Sequence, residues 1–402
     1  MDKRILILGA GDAQLNLIKS AKKLKYYTVV CDIRSEMEGA KIADKYYKVD
    51  YMNKDDIYSI ACKEEIDGVI SNSEPAMINV SYLVDKMGLP GNSVESLKKL
   101  LSKSNFRDLQ QKVGVYSPKS FTSDRVEKII KLSKNLIFPV IIKPSESSGS
   151  RGATQINEYS EQKIKEAFII CQEFSRSSNV TIEEFVEMES LEVINADVFV
   201  VNDDIIWDGW YGGLRSLKRP MIPMAKILPP DISKEREEKI KNDVNKILKA
   251  SGVSLGEFNV ETFFSKKGEL FIIEINPRQA GDDIPELIKE HTGVDLTKLL
   301  VSLSVGDRSY YDYLKTYNRQ KNYITLQVVF SDKDGEYQGL FIKNEIRPFV
   351  CWVEEFFEKG DIVYKARNAE DSVAYVDLKF NTIEQQRYFT NNIEEFIYPL
   401  IR

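Results

Sequence analysis

A chain of 402 residues with 43% hydrophobic residues is long enough for about two to four globular domains. Its net charge of −6 excludes a nucleic-acid binder that relies on phosphate contacts, because such proteins carry a surplus of Lys and Arg. Four widely spaced cysteines fit a reducing cytoplasm and exclude a disulfide framework, and the lack of an apolar segment of roughly 18 residues excludes a membrane helix.

The first 95 residues alternate between strands and helices. Strands at RILIL, YTVVCDI and residues 67–71, with helices over 14–24 and 76–87, predict a small doubly wound parallel sheet. The turn at residues 9–14 and Asp32 about twenty residues later leave a dinucleotide-binding interpretation open. Gln14 replaces the third glycine of that fingerprint, where close packing needs a small residue. A structural Rossmann-like domain whose turn borders a substrate cleft is therefore favoured.

Residues 96–190 have a different character. A Lys- and Ser-rich helix is predicted over 96–113, and the apolar strand FPVIIKP ends near Lys143, just before the Ser/Gly loop at 145–152. Backbone N–H groups of such a loop can approach phosphate oxygens while Lys143 supplies charge. The alternative is a plain surface connection, and Arg151 in this loop is either solvated or a phosphate contact.

An acidic strand follows at residues 181–186, with Glu183 and Glu184 next to two apolar residues. Such a strand end can hold an adenine amine, and two exposed glutamates on an edge strand are the alternative. Beyond a strand at 193–201, residues 207–230 are predicted to be irregular and aromatic. They include a basic group formed by Arg215, Lys218 and Arg219.

A hairpin over residues 256–281 follows an amphipathic helix predicted at 234–251. Strand alternation and antiparallel pairing place Glu261, Glu274 and Asn276 around one point. Three oxygen-donor side chains without sulfur or imidazole suit a hard cation, and Mg²⁺ fits best. Arg278 follows with a guanidinium group suited to phosphate or carboxylate. An exposed hairpin with solvated charges is the alternative.

Two helices are predicted after the hairpin, over 284–292 and 296–305. Asp282 and Asp283 precede the first of them, where they either cap the helix or recognise an amine. Residues 309–402 are expected to form a separate, mostly β unit that ends in a helix from about 382 to 397. This unit shows no catalytic constellation.

Together these motifs resemble the ATP-grasp superfamily, in particular its carboxylate–amine ligases and carbamoyl-phosphate-synthetase-like members, which include amino-acid ligases. Four stretches occur in the family order: SKSNFRDLQQKVGVYSP, FPVIIKPSESSGSRG, VTIEEFVEMESLEV and GEFNVETFFSKKGELFIIEINPR. The resemblance implies an α/β (α+β multidomain) fold. It divides the chain into a Rossmann-like pre-ATP-grasp domain (1–95), an ATP-grasp domain (96–308, lid about 115–190) and a C-terminal α+β unit (309–402).

The resemblance also implies roles for individual residues. The expected ATP contacts are Lys103 and Lys143 on phosphate, the lid residues Ser147, Ser148 and Gly149, the adenine hinge Glu184, Phe185 and Val186, and Glu192 on the ribose with Glu189 as its rival. The expected metal ligands are Glu261, Glu274 and Asn276. The expected catalytic residues are Lys143 and Arg278, the latter steadying the acyl-phosphate oxygens.

One residue departs from the dipeptide-forming branch of the family. Those members often have His two residues before the first metal glutamate, where this chain has Asn259. The run Phe-Asn-Val-Glu resembles the carbamoyl-phosphate-synthetase branch instead.

The function that the resemblance implies is an ATP-dependent ligase that activates a small carboxylate, such as an amino acid, as an acyl phosphate and joins it to an amine. Expected cofactors are ATP and two Mg²⁺ ions, with Mn²⁺ as a substitute. A cytoplasmic protein without nucleic-acid or membrane partners is expected, with a homodimer as one assembly. Alternatives are a phosphoribosylglycinamide-synthetase-like or carbamoyl-phosphate-synthetase-like ligase, a non-catalytic ATP-binding protein and an NAD-dependent oxidoreductase.

Overall fold

The computed structural model describes residues 3–146, 152–175, 177–216, 219–281, 283–367 and 371–402. The lid residues Ser147, Ser148 and Gly149, together with Arg151, Lys218 and Asp282, lie outside these ranges. No helix among the described residues combines the length and apolarity that a bilayer crossing requires.

The N-terminal region is a parallel sheet of strand order β3-β2-β1-β4. Its elements are β1 (Arg4–Leu8), α1 (Asp12–Lys23), β2 (Tyr27–Asp32), α2 (Glu38–Ile42), β3 (Lys45–Lys48), α3 (Lys54–Lys63), β4 (Gly68–Ile70) and α4 (Met77–Met87). The Asp32 carboxylate accepts a 2.8 Å hydrogen bond from Ala10 N and pairs with Arg34. Asp32 thus anchors the glycine turn internally, which supports the structural interpretation of this domain.

The next region carries a small antiparallel sheet of order β5-β8-β6-β7. Its elements are α5 (Val94–Leu101), α6 (Lys103–Lys112), β5 (Ser120–Ser123), α7 (Val126–Ser133), β6 (Val140–Pro144), β7 (Thr154–Ile156), α8 (Glu161–Phe174) and β8 (Val180–Glu184). Strand β6 lies between β7 and β8, and its last residues, Lys143 and Pro144, pair with β8 alone.

The prediction of a single helix over 96–113 was wrong. Ser102 adopts an extended conformation with φ −93° and ψ 124°, which separates α5 from α6. The break frees Lys103 N to donate to Ser145 O at 3.3 Å, directly after β6. Lys103 therefore begins α6 beside the strand that carries Lys143.

A large sheet forms the centre of the molecule. Its first elements are β9 (Glu192–Val201), β10 (Asp204–Ser216), β11 (Arg219–Leu228), α9 (Lys234–Ser251), β12 (Leu255–Phe264), β13 (Leu270–Asn276), α10 (Ile284–Thr292), α11 (Leu296–Ser304) and α12 (Ser309–Leu314). Alternate residues of β9 enter two cores: Ala196, Val198 and Val200 pack with α9, whereas Phe199 and Val201 pack with α10 and α11.

The prediction of an irregular segment over 207–230 was also wrong, because these residues form most of β10 and β11. Its glycines and prolines hide the strand pattern. Pro223 lies opposite Arg215 between two register shifts, and Gly209 follows another shift against β9. Proline is tolerated at such irregularities because no ladder hydrogen bond requires its missing N–H.

The C-terminal residues extend the large sheet and add a small one. Their elements are β14 (Tyr323–Phe330), β15 (Gly335–Ile342), β16 (Val350–Glu355), β17 (Ile362–Val363), β18 (Ser372–Phe380), α13 (Ile383–Asn391), α14 (Ile393–Phe396) and β19 (Ile397–Ile401). The large sheet has the order β13-β12-β9-β10-β11-β14-β18-β16, and β17-β15-β19 form a separate sheet. The last helix ends before the expected 397. The domain division stays a prediction, although β14 pairs with β11 across its expected boundary.

Candidate active site

The acidic hairpin has the register that strand alternation predicts. Glu261 of β12 lies directly opposite Glu274 of β13, and Asn259 lies opposite Asn276. Side chains paired across antiparallel strands share a face, so both carboxylates and the Asn276 amide meet there. Asn276 Nδ2 donates to Glu274 Oε1 at 2.8 Å, and the amide oxygen is not used in that bond.

The two carboxylates differ in electrostatic environment. Burial and the neighbouring Glu274 raise the pKa of Glu261 to about 7. Burial opposes ionisation of Glu274 as well, but Lys103, Asn276, Arg278 and Lys143 outweigh it and lower its pKa. Two close carboxylates with an amide oxygen favour a bound cation, because it would offset their repulsion.

The candidate metal site offers only a few protein ligands. No group of three His, Cys, Asp or Glu side chains in the described ranges is arranged to hold a metal. The candidate set consists of two carboxylates and one amide oxygen, Glu261, Glu274 and Asn276. All-oxygen donors match Mg²⁺, which usually keeps several waters and needs few protein ligands.

Lys143 is buried and ion-paired at the end of β6. Its ammonium contacts the carboxylate of Glu183, whose Oε2 also accepts from Arg107 Nε at 3.1 Å. Burial, with contributions from Arg107 and Lys103, lowers the pKa of Lys143 to about 8. Burial would raise the pKa of Glu183, but the two cations outweigh it and bring it to about 2. The three groups form a charged cluster that is ionised at neutral pH.

Arg107 connects the small sheet with the acidic hairpin. Besides Glu183 on β8, its guanidinium donates to the backbone oxygen of Ile273 on β13 at 3.0 Å. The charge of Lys143 also acts to lower the pKa of Glu274, so the lysine lies near the acidic pair. Sequence reasoning missed Arg107, since a buried arginine in a Lys-rich helix carries no local signal.

The hinge residues are placed differently from their expected roles. Glu184 accepts from Ile137 N at 3.0 Å, and strand alternation puts its side chain on the face of β8 opposite Glu183. Phe185 N donates to Pro139 O at 2.9 Å. The adenine contacts of Glu184, Phe185 and Val186 stay predictions, and Glu183 is the glutamate that faces the cations.

Glu189 N donates to Phe264 O of β12 at 2.8 Å, but neither candidate ribose acid makes a described side-chain hydrogen bond to the acidic hairpin. Glu192 accepts from Asp231 N at 3.2 Å, and burial raises its pKa to about 7. Alternation along β9 places Glu192 on the helix-covered face of Ile194, whereas Glu261 pairs with Asn195. Glu189 pairs with Arg236 at 2.7 Å. The ribose assignment stays a prediction.

Further cations surround Glu261 on its other side. Lys226 of β11, Arg278 and Arg215 of β10 all act to lower the pKa of Glu261. Lys226 and the adjacent Asn195, which is 5% exposed, were not singled out from the sequence. The signal of Lys226 was hidden because the strand pattern of 207–230 was not recognised, whereas Asn195 lies in a strand that was predicted but carries no local mark of a site. The side chain of Arg219 lies outside the described part of the structure.

Fold and site together define an ATP-grasp nucleotide-binding protein, in which a small sheet carries a buried lysine and a large sheet carries the paired acids. The chain belongs to the family described as "Carbamoyl-phosphate synthase L chain, ATP binding domain", whose model matches residues 102–309, just over half of the chain. The ATP-grasp resemblance is thereby confirmed.

Curated relatives are longer enzymes. The chain is 26% identical over 325 residues to the carbamoyl phosphate synthase large chain, C-terminal section, of Aquifex aeolicus (strain VF5), covering 76% of this chain and 58% of the relative. It is 25% identical over 327 residues to the carbamoyl phosphate synthase large chain of Thermotoga petrophila, covering 76% and 28%. The matched segment thus spans less than two thirds of these relatives.

Solved structures share the fold over the whole chain. The L-amino acid ligase from Bacillus licheniformis superposes with a TM-score of 0.80 at 14% identity, covering 100% of this chain and 99% of that chain. The phosphoribosylglycinamide synthetase from Anaerococcus prevotii gives 0.73 at 22% identity, covering 100% of both. The expected α/β ATP-grasp fold is confirmed.

Proposed function

We propose that the protein is an ATP-dependent ligase that activates a small carboxylate, such as an amino acid, as an acyl phosphate and joins it to an amine. ADP and phosphate are the other products. The observation that carries the proposal is the Glu261–Glu274 pair, which shares a face with Asn276 and lies near the charges of Lys103, Lys143 and Arg278. Family membership supports nucleotide binding there.

The cations have separate tasks in this chemistry. Lys103 and Lys143 orient the ATP phosphates from the side of Glu274, and Arg278 steadies the oxygens of the group in transfer. Mg²⁺ held by Glu261, Glu274 and Asn276 would neutralise phosphate charge, with two ions expected and Mn²⁺ as a substitute. The substrate carboxylate attacks the γ-phosphate in line and releases ADP, which forms the acyl phosphate. An amine then attacks the acyl carbon and displaces phosphate.

Neither step requires a protein nucleophile or a histidine base. The acyl phosphate does require exclusion of water. Residues 147–152 are proposed as the lid that closes over the phosphates. We expect a cytoplasmic enzyme that acts on small molecules, with a homodimer as one assembly.

Release of ADP provides the direct test. Mg-ATP is supplied with pools of amino acids, and hydroxylamine is added to trap an acyl phosphate as a hydroxamate. We expect Glu274→Gln to lower kcat by at least 100-fold, because the variant loses a carboxylate that balances the metal charge. Glu269→Gln is the matched control, since Glu269 is an exposed glutamate in the turn of the same hairpin. Full activity of Glu274→Gln would remove the metal assignment.

A second candidate is a ligase of nucleotide or carbamoyl metabolism. Arg215 and Lys226 beside Glu261 favour a substrate with an additional anionic group, such as a phosphate. ADP release stimulated by phosphate-bearing amines, or by bicarbonate with ammonia, would select this candidate. Tight ATP binding without ADP release under any of these conditions would indicate a non-catalytic nucleotide-binding protein.

A further inference from the structure

Two acidic side chains are buried behind the segment that carries Arg278. Asp197 of β9 is fully buried, and Glu257 of β12 is 2% exposed. The two side chains lie on one face of the neighbouring strands, because Asp197 pairs with Asn259 and Phe199 pairs with Glu257. A hydrogen bond between the two carboxyl groups requires one shared proton, because two carboxylate ions have no hydrogen to donate. Burial raises the pKa of Asp197 to about 6 and that of Glu257 well above its ordinary value. The two N–H donors that Asp197 accepts from place the shared proton on Glu257.

Asp197 uses both of its oxygens to hold neighbouring segments. Oδ2 accepts from Ala280 N at 2.9 Å, and Oδ1 accepts from Asn259 Nδ2 at 2.9 Å. Both donors are N–H groups, so this position needs an ion with acceptors only. The proton from Glu257 adds a third donor to the same carboxylate.

Glu257 holds the residue between Arg278 and Ala280. Its Oε2 accepts from Gln279 Nε2 at 2.7 Å, and the same nitrogen reaches Thr297 Oγ1 at 3.2 Å. Glu257 Oε1 accepts no hydrogen bond from the described part of the chain. Oε1 is thus the oxygen left to carry the proton toward Asp197.

Backbone bonds complete the restraint of residues 278–280. Asn259 N donates to Arg278 O at 3.1 Å, and Gln279 N donates to Asn72 Oδ1 of the N-terminal region at 3.1 Å. Three consecutive residues are thus tied to β9, β12, α11 and the N-terminal region. The Arg278 guanidinium donates to Gln279 O at 2.8 Å, and its charge acts to lower the pKa of both Glu261 and Glu274.

We propose that Asp197 and Glu257 are positioning residues, a proton-sharing pair that fixes residues 278–280 and thereby holds the Arg278 guanidinium over the acyl phosphate. The inference rests on the proposed function for the role of Arg278. Neither acid touches substrate in this arrangement. What matters at position 257 is the hydrogen-bond pattern, whereas position 197 needs the negative charge.

Two isosteric variants test this asymmetry. Glu257→Gln keeps an oxygen for Gln279 and an N–H for Asp197, so its kcat should stay within about threefold of wild type. Asp197→Asn directs an NH₂ group at a donor, so kcat should fall about 100-fold through misplacement of Arg278, with KM for ATP little changed. Thermal unfolding of both variants checks that each is folded.

Other outcomes would overturn the proposal. Glu257 also lines a cavity of about 50 Å³ between β12 and the N-terminal sheet. If the acids instead bound a substrate ammonium group there, Glu257→Gln would raise KM for the amine and leave kcat unchanged. Equal losses of kcat in both variants, or full activity of Asp197→Asn, would also contradict a positioning pair.

A substrate-free measurement separates this inference from the proposed function. Hydrogen exchange of the Gln279 and Ala280 amides should be as slow in Glu257→Gln as in wild type, and faster in Asp197→Asn. If wild type releases no ADP with any pool, the proposed function fails. Amide exchange then decides the restraint alone, and unchanged exchange in Asp197→Asn would overturn it.

Discussion

Lys143 lies in the interior beside a carboxylate and a second cation. A lone buried ammonium group would lose its proton, and the contact with Glu183 keeps this one charged. Glu183 in turn balances Arg107, so removal of the single carboxylate leaves two unpaired cations. At the scale of one residue, Glu183 is therefore the group on which the phosphate side of the cleft depends.

Replacing Glu183 with Gln should destabilise the fold by about 3–5 kcal/mol, the usual cost of breaking a buried ion pair. The pKa of Glu183 is lowered from 4.5 to about 2, so its ionisation stabilises the fold above about pH 4.5. That contribution, about 3 kcal/mol, is lost as pH falls toward 2. Denaturant unfolding of wild type and Glu183→Gln across this pH range measures both effects.

Glu184→Gln serves as the matched control, because this neighbour faces the other side of β8 and bonds only to a backbone N–H. Its free energy of unfolding should change by about 1 kcal/mol or less. Similar losses at both positions would show that the cluster contributes no more than an ordinary hydrogen bond.

Local pattern could predict only part of this site. Alternation along two strands was enough to predict that Glu261, Glu274 and Asn276 share a face, because a short turn fixes their register. Arg107 and Glu183 are 76 positions apart, and Ala280 and Asp197 are 83 apart. Such contacts depend on how whole elements pack, and no spacing in the sequence records them.

Among the elements, β10 shows why a strand was not predicted from the sequence. Gly209 on it would place an added Cβ atom 2.2 Å from the backbone oxygen of Asp197. Only glycine permits this close approach of β10 to β9, yet glycine is rare in strands and suggests a loop. The helix at 284–292 had no such obstacle, and its predicted bounds are those of α10.

Gly209→Ala should therefore destabilise the protein by about 1–3 kcal/mol, because backbone cannot move aside as a flexible side chain would. The variant should also accelerate amide exchange at Ala280, since the displaced residue is Asp197. Gly281→Ala is the matched control, because no heavy atom of the described residues lies within 4 Å of the added carbon. Equal stability of the two variants by chemical denaturation would contradict the close approach.

At the scale of the whole molecule, the N-terminal sheet shares a hydrophobic core with α11, which belongs to the expected ATP-grasp domain. Ile5, Ile7 and Val30 cluster with Val301 and Val305 from α11 and the residue after it. Gly68 approaches the same helix so closely that an added Cβ would lie 2.0 Å from Ser304 O. The two regions should unfold together, because neither buries these side chains alone.

Val301→Ala should lower the free energy of unfolding by about 2 kcal/mol, through lost burial and the cavity left behind. Far-UV circular dichroism and hydrogen exchange of β1 should then report one transition, shifted equally. Ile33→Ala, at a side chain 58% exposed, should leave that transition unchanged. Separate transitions for the two regions would refute the shared core.

The family match stops at residue 309, but the hydrogen-bond ladder of the central sheet does not. Ala225 to Leu228 of β11 pair with Ile324 to Gln327 of β14. Ending the chain at the family boundary would remove β14, so the amide and carbonyl groups along one edge of β11 would be unpaired and exposed to other molecules. A recombinant fragment ending there would be prone to self-association, although every predicted ligand and phosphate contact would still be present in it.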